Sequence, residues 1–143
     1  MEYIPRKDQF VCVLNKKIEI PKLLNAIGHM TAGLVFEHKD NLIPLRFRDF
    51  IDQDKTVHPA TSENGYIVLR AENSNQIRTL RNKLIEERIA FTDFTQTMVN
   101  GTYVDQQAEF DLTPESELEY FGICFFEEIE KAKTLTKKFQ LYR

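Results

Sequence analysis

The sequence predicts an α/β domain with a four-stranded mixed sheet and helices on both faces of that sheet. Two observations point to this fold class. Apolar runs of strand length alternate along the chain with segments of helical periodicity, and residues 10–14 are apolar without interruption. An unbroken apolar strand is typical of a sheet interior that is covered on both faces. With 143 residues, of which 42% are hydrophobic, we expect residues 1–143 to form one domain around one core.

A helix is predicted to follow the first strand and to run from Pro21 to about Val35. The stripe of this helix that is predicted to face the core comprises Leu23, Ile27, Met30 and Leu34. The opposite stripe combines polar and small side chains, namely Lys22, Asn25, Ala26, His29 and Gly33. Gly28 and Gly33 each weaken a helix by roughly 1 kcal/mol relative to alanine, so we expect a strand or a ligand to approach closely there.

Three further strands are predicted, at residues 66–71, 90–94 and 118–126. The helix predicted at residues 74–88 begins with a capping signal, Asn73 followed by Gln76, and continues with apolar residues at helical spacing. A last helix, at residues 127–137, has acidic residues at its start and lysines at its end, as the helix dipole favours. Residues 49–59 are predicted to form an ordered loop.

Charge and cysteine usage exclude several classes of function. The formal net charge of −3 argues against tight nucleic-acid binding, which depends on clustered cations that neutralise phosphates. No apolar stretch approaches the roughly 18 residues of a membrane span, and no signal peptide precedes the first strand. Cys12 and Cys124 lie in apolar runs and are predicted to be buried core residues. We therefore expect a cytoplasmic protein with no membrane partner.

The polar stripe of the first helix is the first candidate site. Lys22 at the helix start could stabilise an oxyanion, and His29 could transfer protons near neutral pH. Asn25 lies between them on the same stripe. We predict that these three residues line one cleft, with Thr92 or Asp93 on its facing wall. The structural alternative is an ordinary solvated helix face.

A second candidate group follows the third predicted strand. Asp93, Thr95, Gln96 and Thr97 lie at an edge of the sheet where α/β proteins place ligand-binding groups. Ordinary strand-end and turn chemistry is the alternative interpretation of these residues.

Asp52, Asp54 and His58 form a third group, within the predicted loop. Two carboxylates and an imidazole could hold a metal, but their spacing matches no zinc or calcium pattern. The two aspartates are favoured as turn formers that bond their own backbone. Asp52 and His58 are candidate ligand-binding residues, and no metal is predicted. The sequence has no glycine-rich phosphate loop, so no cofactor is predicted either.

Short matches to known families recur in order along the chain, at residues 14–15, 26–34, 52–54 with His58, 68–71, 91–92 with Met98, 121–123 and 136–143. Through them the chain resembles an uncharacterised bacterial family, domain of unknown function 2000. Residues 10–15 and 22–34 also resemble the first strand and helix of type II peptidyl-tRNA hydrolases. Residues 120–126 and 129–133 resemble the last strand and helix of that fold. The resemblance implies a peptidyl-tRNA hydrolase type II-like fold.

In those hydrolases, function depends on a helix-start lysine, an aspartate at the end of the third strand and a threonine shortly after it. The resemblance places Lys22 at the lysine and His29 at a histidine of the same helix. Asp93 lies within one residue of the aspartate, and Thr95 or Thr97 corresponds to the threonine. Two supporting features are missing. Ala26 replaces the usual helix glutamine, and residues 94–97 replace the Gly-Arg-Thr stretch.

We therefore expect a non-hydrolase relative that binds a small polar or acyl-amino-acid ligand in a cleft near the first helix. Two alternatives stay open. One is a hydrolase of an ester or amide, in which Lys22 places the oxyanion and Asp93 orients water or a base. The other is an interaction module without chemistry, such as a homodimer.

Overall fold

The computed structural model describes all 143 residues. In chain order its strands and helices are β1 (Asp8–Asn15), α1 (Ile20–Glu37), β2 (Phe47–Ile51), β3 (Val57–Ser62), β4 (Gly65–Ala71), α2 (Ser74–Glu86), β5 (Phe91–Thr95), α3 (Tyr103–Asp111), β6 (Tyr120–Glu128), α4 (Ile129–Thr136) and β7 (Gln140–Leu141). Two short 3-10 helices occupy Gln96–Met98 and Glu115–Glu117.

The main sheet has five strands in the order β5-β6-β1-β4-β7. Its central strand β1 runs parallel to β4 and antiparallel to β6. The α/β class and the mixed sheet are thus confirmed, but the predicted number of four strands is wrong. The additional strand, β7, has two residues, and it pairs with Leu69 and Arg70 of β4. A strand this short has too few positions to show an alternating pattern.

Helices cover both faces of this sheet. Helix α1 packs on β5 and β6 from one side, whereas α2 and α4 pack on β1 and β6 from the other. The side chains of β1 alternate between the two resulting cores. Phe10, Cys12 and Leu14 join the core beneath α1, and Val11 and Val13 join the core beneath α2 and α4. No helix combines the length and the hydropathy that spanning a bilayer requires.

Helix α1 buries a face slightly rotated from the predicted one. Its buried residues are Leu23, Ala26, Met30 and Leu34. Ala26 was expected on the polar stripe, but it is fully buried. Its small side chain suits a helix that approaches the sheet closely. Thr92 of β5 marks this approach, because its hydroxyl donates a 2.7 Å hydrogen bond to the carbonyl of Met30.

The prediction of an ordered loop at residues 49–59 is also wrong, because these residues form most of a β-hairpin. Strands β2 and β3 pair only with each other, and residues 47–62 are termed the hairpin arm. A bulge interrupts their pairing at Ala60, whose φ is 53°. Its N–H is held by Oδ1 of Asp49 at 2.9 Å. The arm is exposed along both faces, so burial leaves no periodic signal in its sequence.

Cys12 and Cys124 are buried free thiols, as predicted. They lie directly opposite each other in the antiparallel register of β1 and β6. The Tyr66 hydroxyl lies 3.7 Å from Sγ of Cys124 and 2.7 Å from Oγ1 of Thr31. The contact with the Cys124 thiol, together with burial, raises the pKa of the Cys12 thiol. This thiol is therefore neutral in the folded protein at neutral pH.

Alanine substitutions at Gly28 and Gly33 should separate helix propensity from packing. An added Cβ at Gly28 meets no atom within 4 Å, whereas at Gly33 it would lie 3.2 Å from Cγ2 of Thr92. We expect Gly28→Ala to raise the free energy of unfolding by roughly 1 kcal/mol, and Gly33→Ala to raise it by less or to lower it. Urea unfolding followed by circular dichroism measures both. A larger gain at Gly33 than at Gly28 would contradict the close packing of α1 on β5.

Candidate functional site

A cavity of about 630 Å³, termed the α1–α3 cleft, lies between α1, β5 and α3. Helix α1 contributes Asn25, His29 and Met30 to its lining, and β5 contributes Thr92, Asp93 and Phe94. The segment after β5 contributes Met98, Val99, Gly101, Tyr103, Gln106, Gln107 and Phe110. The cleft therefore combines amide and imidazole groups with apolar side chains, the mixture that is common in small-molecule sites.

The α1 wall presents the polar groups. Asn25 and His29 are four residues apart, so they lie one above the other on the same side of the helix. Within α1, Thr31 alone uses its side chain in a hydrogen bond, which leaves the Asn25 amide and the His29 imidazole free. The His29 ring stacks on Phe94 of β5, with 5.8 Å between ring centroids. This contact sets the position of the imidazole at the cleft wall.

The opposite wall, α3, is an element that the sequence reasoning missed. It begins at a capping box in which Thr102 and Asp105 bond each other's backbone N–H. Gln106 then donates to the carbonyl of Met98 at 3.2 Å, which ties α3 to the segment after β5. None of its residues is buried, so apolar periodicity does not reveal it. The Thr-x-x-Asp spacing directly after Asn100 and Gly101 is the signal that could have located this helix.

Lys22 does not join the cleft. Its side chain is exposed in the first turn of α1, and Lys22 is not one of the lining residues. Seven helical residues separate it from His29, which corresponds to about 10 Å along the axis. The prediction that Lys22 lines the same cleft as Asn25 and His29 is therefore corrected. The structure brings Asn25 and His29 together with Thr92 in the cavity lining, and Lys22 is not part of that lining.

Asp93 borders the cleft, but its carboxylate does not act there. Alternate residues of β5 face opposite sides of the sheet. Thr92 and Phe94 face α1, whereas the Asp93 carboxylate lies 3.4 Å from Nε of Arg81 on α2. Burial raises the pKa of Asp93, and the Arg81 guanidinium opposes this rise. Of the two residues expected on the facing wall, Thr92 turns toward α1, whereas the Asp93 carboxylate turns toward Arg81.

Thr95 and Thr97 are also separate from the cleft. Each is only 1% exposed, and neither lines the cavity. Their hydroxyl oxygens lie 2.6 Å apart and bond each other. This pair holds the 3-10 turn that follows β5. Both hydroxyls thus have a partner within the fold, which accounts for their burial.

Asp52 and His58 lie in the hairpin arm, on a different element from the cleft. Oδ1 of Asp52 accepts the N–H groups of Asp54 and Thr56, each at 2.9 Å. Oδ2 lies 3.0 Å from Nε2 of His58. The bond from the Thr56 N–H, followed by the contact with His58, lowers the pKa of Asp52. Asp52 therefore acts as a turn former here, and it orders the tip of the arm.

A larger groove of about 770 Å³ lies between α2 and α4. Its rim carries Lys83, Lys131, Lys137 and Lys138 together with Glu86 and Glu87. Lys83, Lys137 and Lys138 lie in or after the last turns of α2 and α4, where cations are favoured by the helix dipoles, and Lys131 lies in the first turn of α4. The groove has no imidazole and its charged groups lie on exposed helix surfaces, so the α1–α3 cleft, which holds Asn25 and His29, is the better candidate site.

The fold and the cleft define a mixed α/β domain with a ligand-sized cavity beside its first helix. The chain belongs to the DUF2000 family, described as a protein of unknown function, whose model matches residues 8–143. A similar solved structure is that of Atu0240, a protein of unknown function from Agrobacterium tumefaciens strain C58. The two share a TM-score of 0.80 and 14% identity over 96% of this chain and 98% of that one, which shows the fold alone. No curated protein matches the chain.

The ion pair between Asp93 and Arg81 should leave a signature in the pH dependence of stability. Because burial raises the pKa of Asp93 above its unfolded value, the folded state binds this proton more tightly. The wild type should therefore lose stability relative to Asp93→Asn as pH rises from about 4, the ordinary aspartate pKa, through the raised value. Urea unfolding at a series of pH values measures this difference.

Arg81→Gln provides the matched comparison for this experiment. Removing the guanidinium should raise the pKa of Asp93 further, so the interval of falling stability should extend to higher pH. A stability difference between the wild type and Asp93→Asn that does not change with pH would contradict the buried placement of this carboxylate.

Proposed function

We propose that this protein binds a small polar or acyl-amino-acid ligand in the α1–α3 cleft and does not hydrolyse it. The observation that carries the proposal is the pairing of two free polar groups with an apolar lining. The Asn25 amide and the His29 imidazole face the cavity without partners in the fold, beside Met30, Met98 and Phe110. A volume of about 630 Å³ lies within the range of small-molecule sites.

The chemistry of the lining suggests how such a ligand binds. The amide of Asn25 supplies both a donor and an acceptor, and a neutral His29 imidazole does the same. Together they suit a peptide-like amide or a carboxyl group, which also presents donors and acceptors. The methionine and phenylalanine side chains on the opposite side suit an acyl or aliphatic portion. Methionine is adaptable in shape, so one cavity can accept several such chains.

The arrangement of the remaining polar groups favours binding over hydrolysis. An acyl-transfer reaction requires several donors that point to one developing oxyanion. Lys22 lies outside the cavity lining, and the Asp93 carboxylate pairs with Arg81 on the other face of the sheet. Thr95 and Thr97 bond each other. These positions support a relative of type II peptidyl-tRNA hydrolases that keeps a similar fold without an assembled catalytic set.

Compartment and macromolecular partners are also part of this proposal. The two free thiols favour a reducing compartment such as the cytoplasm. The formal net charge of −3 disfavours capture of a polyanion such as tRNA.

Ligand binding can be tested with a panel of N-acetyl amino acids and their amides. We expect saturable NMR shift changes at residues of the α1–α3 cleft. Asn25→Ala and His29→Ala should each weaken binding by roughly tenfold, because each removes one hydrogen-bonding group. Asn41→Ala and His58→Ala remove the same groups from exposed positions outside the cleft and should leave affinity unchanged. Shift changes confined to other surfaces would contradict the proposed site.

Hydrolysis is tested by the release of tRNA from an N-blocked aminoacyl-tRNA. We expect equal, near-background rates for the wild type and Lys22→Ala, since Lys22 is not one of the residues that line the cleft. Loss of one oxyanion donor from a working hydrolase commonly reduces the rate by roughly 10²–10³-fold. Rapid release by the wild type that disappears in Lys22→Ala would therefore identify a hydrolase and reject the binding-only proposal.

A further inference from the structure

The hairpin arm is exposed along almost its whole length and carries several large apolar side chains. Every residue of β2 and β3 except Arg48 and Ser62 is exposed. Four large apolar side chains are about half exposed: Phe47 (48%), Phe50 (50%), Ile51 (57%) and Val57 (51%). At about 150–250 Å² per large side chain, they leave roughly 400 Å² of apolar surface in water, divided between the two faces of the arm.

One face of the arm concentrates this surface. Ile51 lies directly opposite Val57 in the register, so the two side chains share a face. Phe47 precedes Ile51 by four residues on β2, and the alternation of a strand places it on that same face. Phe50 lies opposite His58 on the other face. Phe47, Ile51 and Val57 therefore share one face of the arm, on which Asp49 lies between Phe47 and Ile51 and bonds the Ala60 N–H.

The arm is held in a fixed direction at its base. Asn64, which is 5% exposed, donates to the carbonyls of Asp8 and Pro44 and accepts the N–H of Arg46. Glu63 forms ion pairs with Arg6 and Arg48. The bond from Arg6 is the main reason that the pKa of Glu63 is lowered. The base of the arm is therefore fixed to the domain, and the apolar face has a defined orientation.

The arm lacks sufficient stabilisation of its own. An isolated two-stranded hairpin is marginally stable in water. Lys55 and Ala60 have φ values of 68° and 53°, a left-handed conformation that costs roughly 1–2 kcal/mol for each residue other than glycine. Hydrogen bonds to the Asp49 and Asp52 carboxylates offset part of this cost. Strands β2 and β3 pair only with each other and bury almost nothing, so packing on another molecule would add the burial that the arm lacks.

We propose that the hairpin arms of two copies of this chain pack on each other across a two-fold axis, through the face of Phe47, Ile51 and Val57. The charges of the arm and its lead-in favour a second copy as the partner. They are balanced, with three cations and three anions: Arg46, Arg48, Lys55, Asp49, Asp52 and Asp54. A balanced surface has no net attraction for a polyanion or a polycation, whereas a two-fold axis allows each charge to meet its opposite.

The available area is consistent with a homodimer. A specific interface buries roughly 800 Å² on each partner. The three apolar side chains of this face supply roughly 300 Å², a little more than a third of that area. Its exposed backbone and charged side chains add to this, as do Leu42 and Ile43 in the lead-in, which are 53% and 80% exposed.

Sedimentation equilibrium from about 1 µM to about 100 µM tests the proposal on the full chain. We expect a concentration-dependent dimer. Ile51→Lys and Val57→Lys should each weaken dimerisation by at least roughly tenfold, because each places an unpaired charge in the apolar contact. The matched control is Ile85→Lys on α2, which alters an equally exposed isoleucine, at 50%, away from the arm. This variant should dimerise like the wild type.

A second variant removes the arm altogether. The N–H of Glu63 donates to the carbonyl of Arg46 at 2.8 Å, so a short Gly-Ser turn can replace residues 47–62 without moving β4. We expect a folded monomer with unchanged helix content by circular dichroism. If the wild type is a monomer at the highest concentration, the proposal is wrong, even if the arm binds a different protein. A dimer that persists after excision, or that Ile85→Lys alone disrupts, would also overturn it.

Discussion

The structure depends on the burial of β1 on both of its faces. Residues 10–14 have no polar side chain, so this strand is stable only where an apolar layer covers each side. That requirement places β1 in the middle of the sheet, between β4 and β6, and it requires α1 on one face and α2 with α4 on the other. The position of α1 over β5 and β6 in turn creates the space that α3 encloses as the α1–α3 cleft.

Elements that bury a periodic face could be predicted from the sequence, and elements that do not could not. The strands β1, β4, β5 and β6 and the helices α1, α2 and α4 all bury apolar residues at regular spacing. The hairpin arm and α3 bury almost nothing, so their sequences carry only turn and capping signals. For the arm, Asp49 and Asp52 bond backbone groups of a bulge and a turn, an arrangement that spacing alone does not distinguish from an ordered loop.

The candidate site could likewise be predicted only in part. Helical spacing placed Asn25 and His29 on one side of α1, and the structure brings them together at one cavity. The partners across the cavity depend on tertiary structure. The alternation of side chains along β5 determines that Thr92 faces α1 and that the Asp93 carboxylate faces Arg81. The sequence does not determine the register of a strand to within one residue. A shift of one residue moves a side chain to the opposite face of the sheet.

Cys12 and Cys124 make the central strand pair chemically observable. A thiol reagent reacts with the thiolate, and these two sulfurs are fully buried between paired strands. Because β1 and β6 lie at the centre of the sheet, the thiols become accessible only when this ladder opens. The labelling rate of the native protein in water, without denaturant, therefore reports how often its core separates, in the manner of amide hydrogen exchange. The reaction rate of the two cysteines thus measures how often the domain opens.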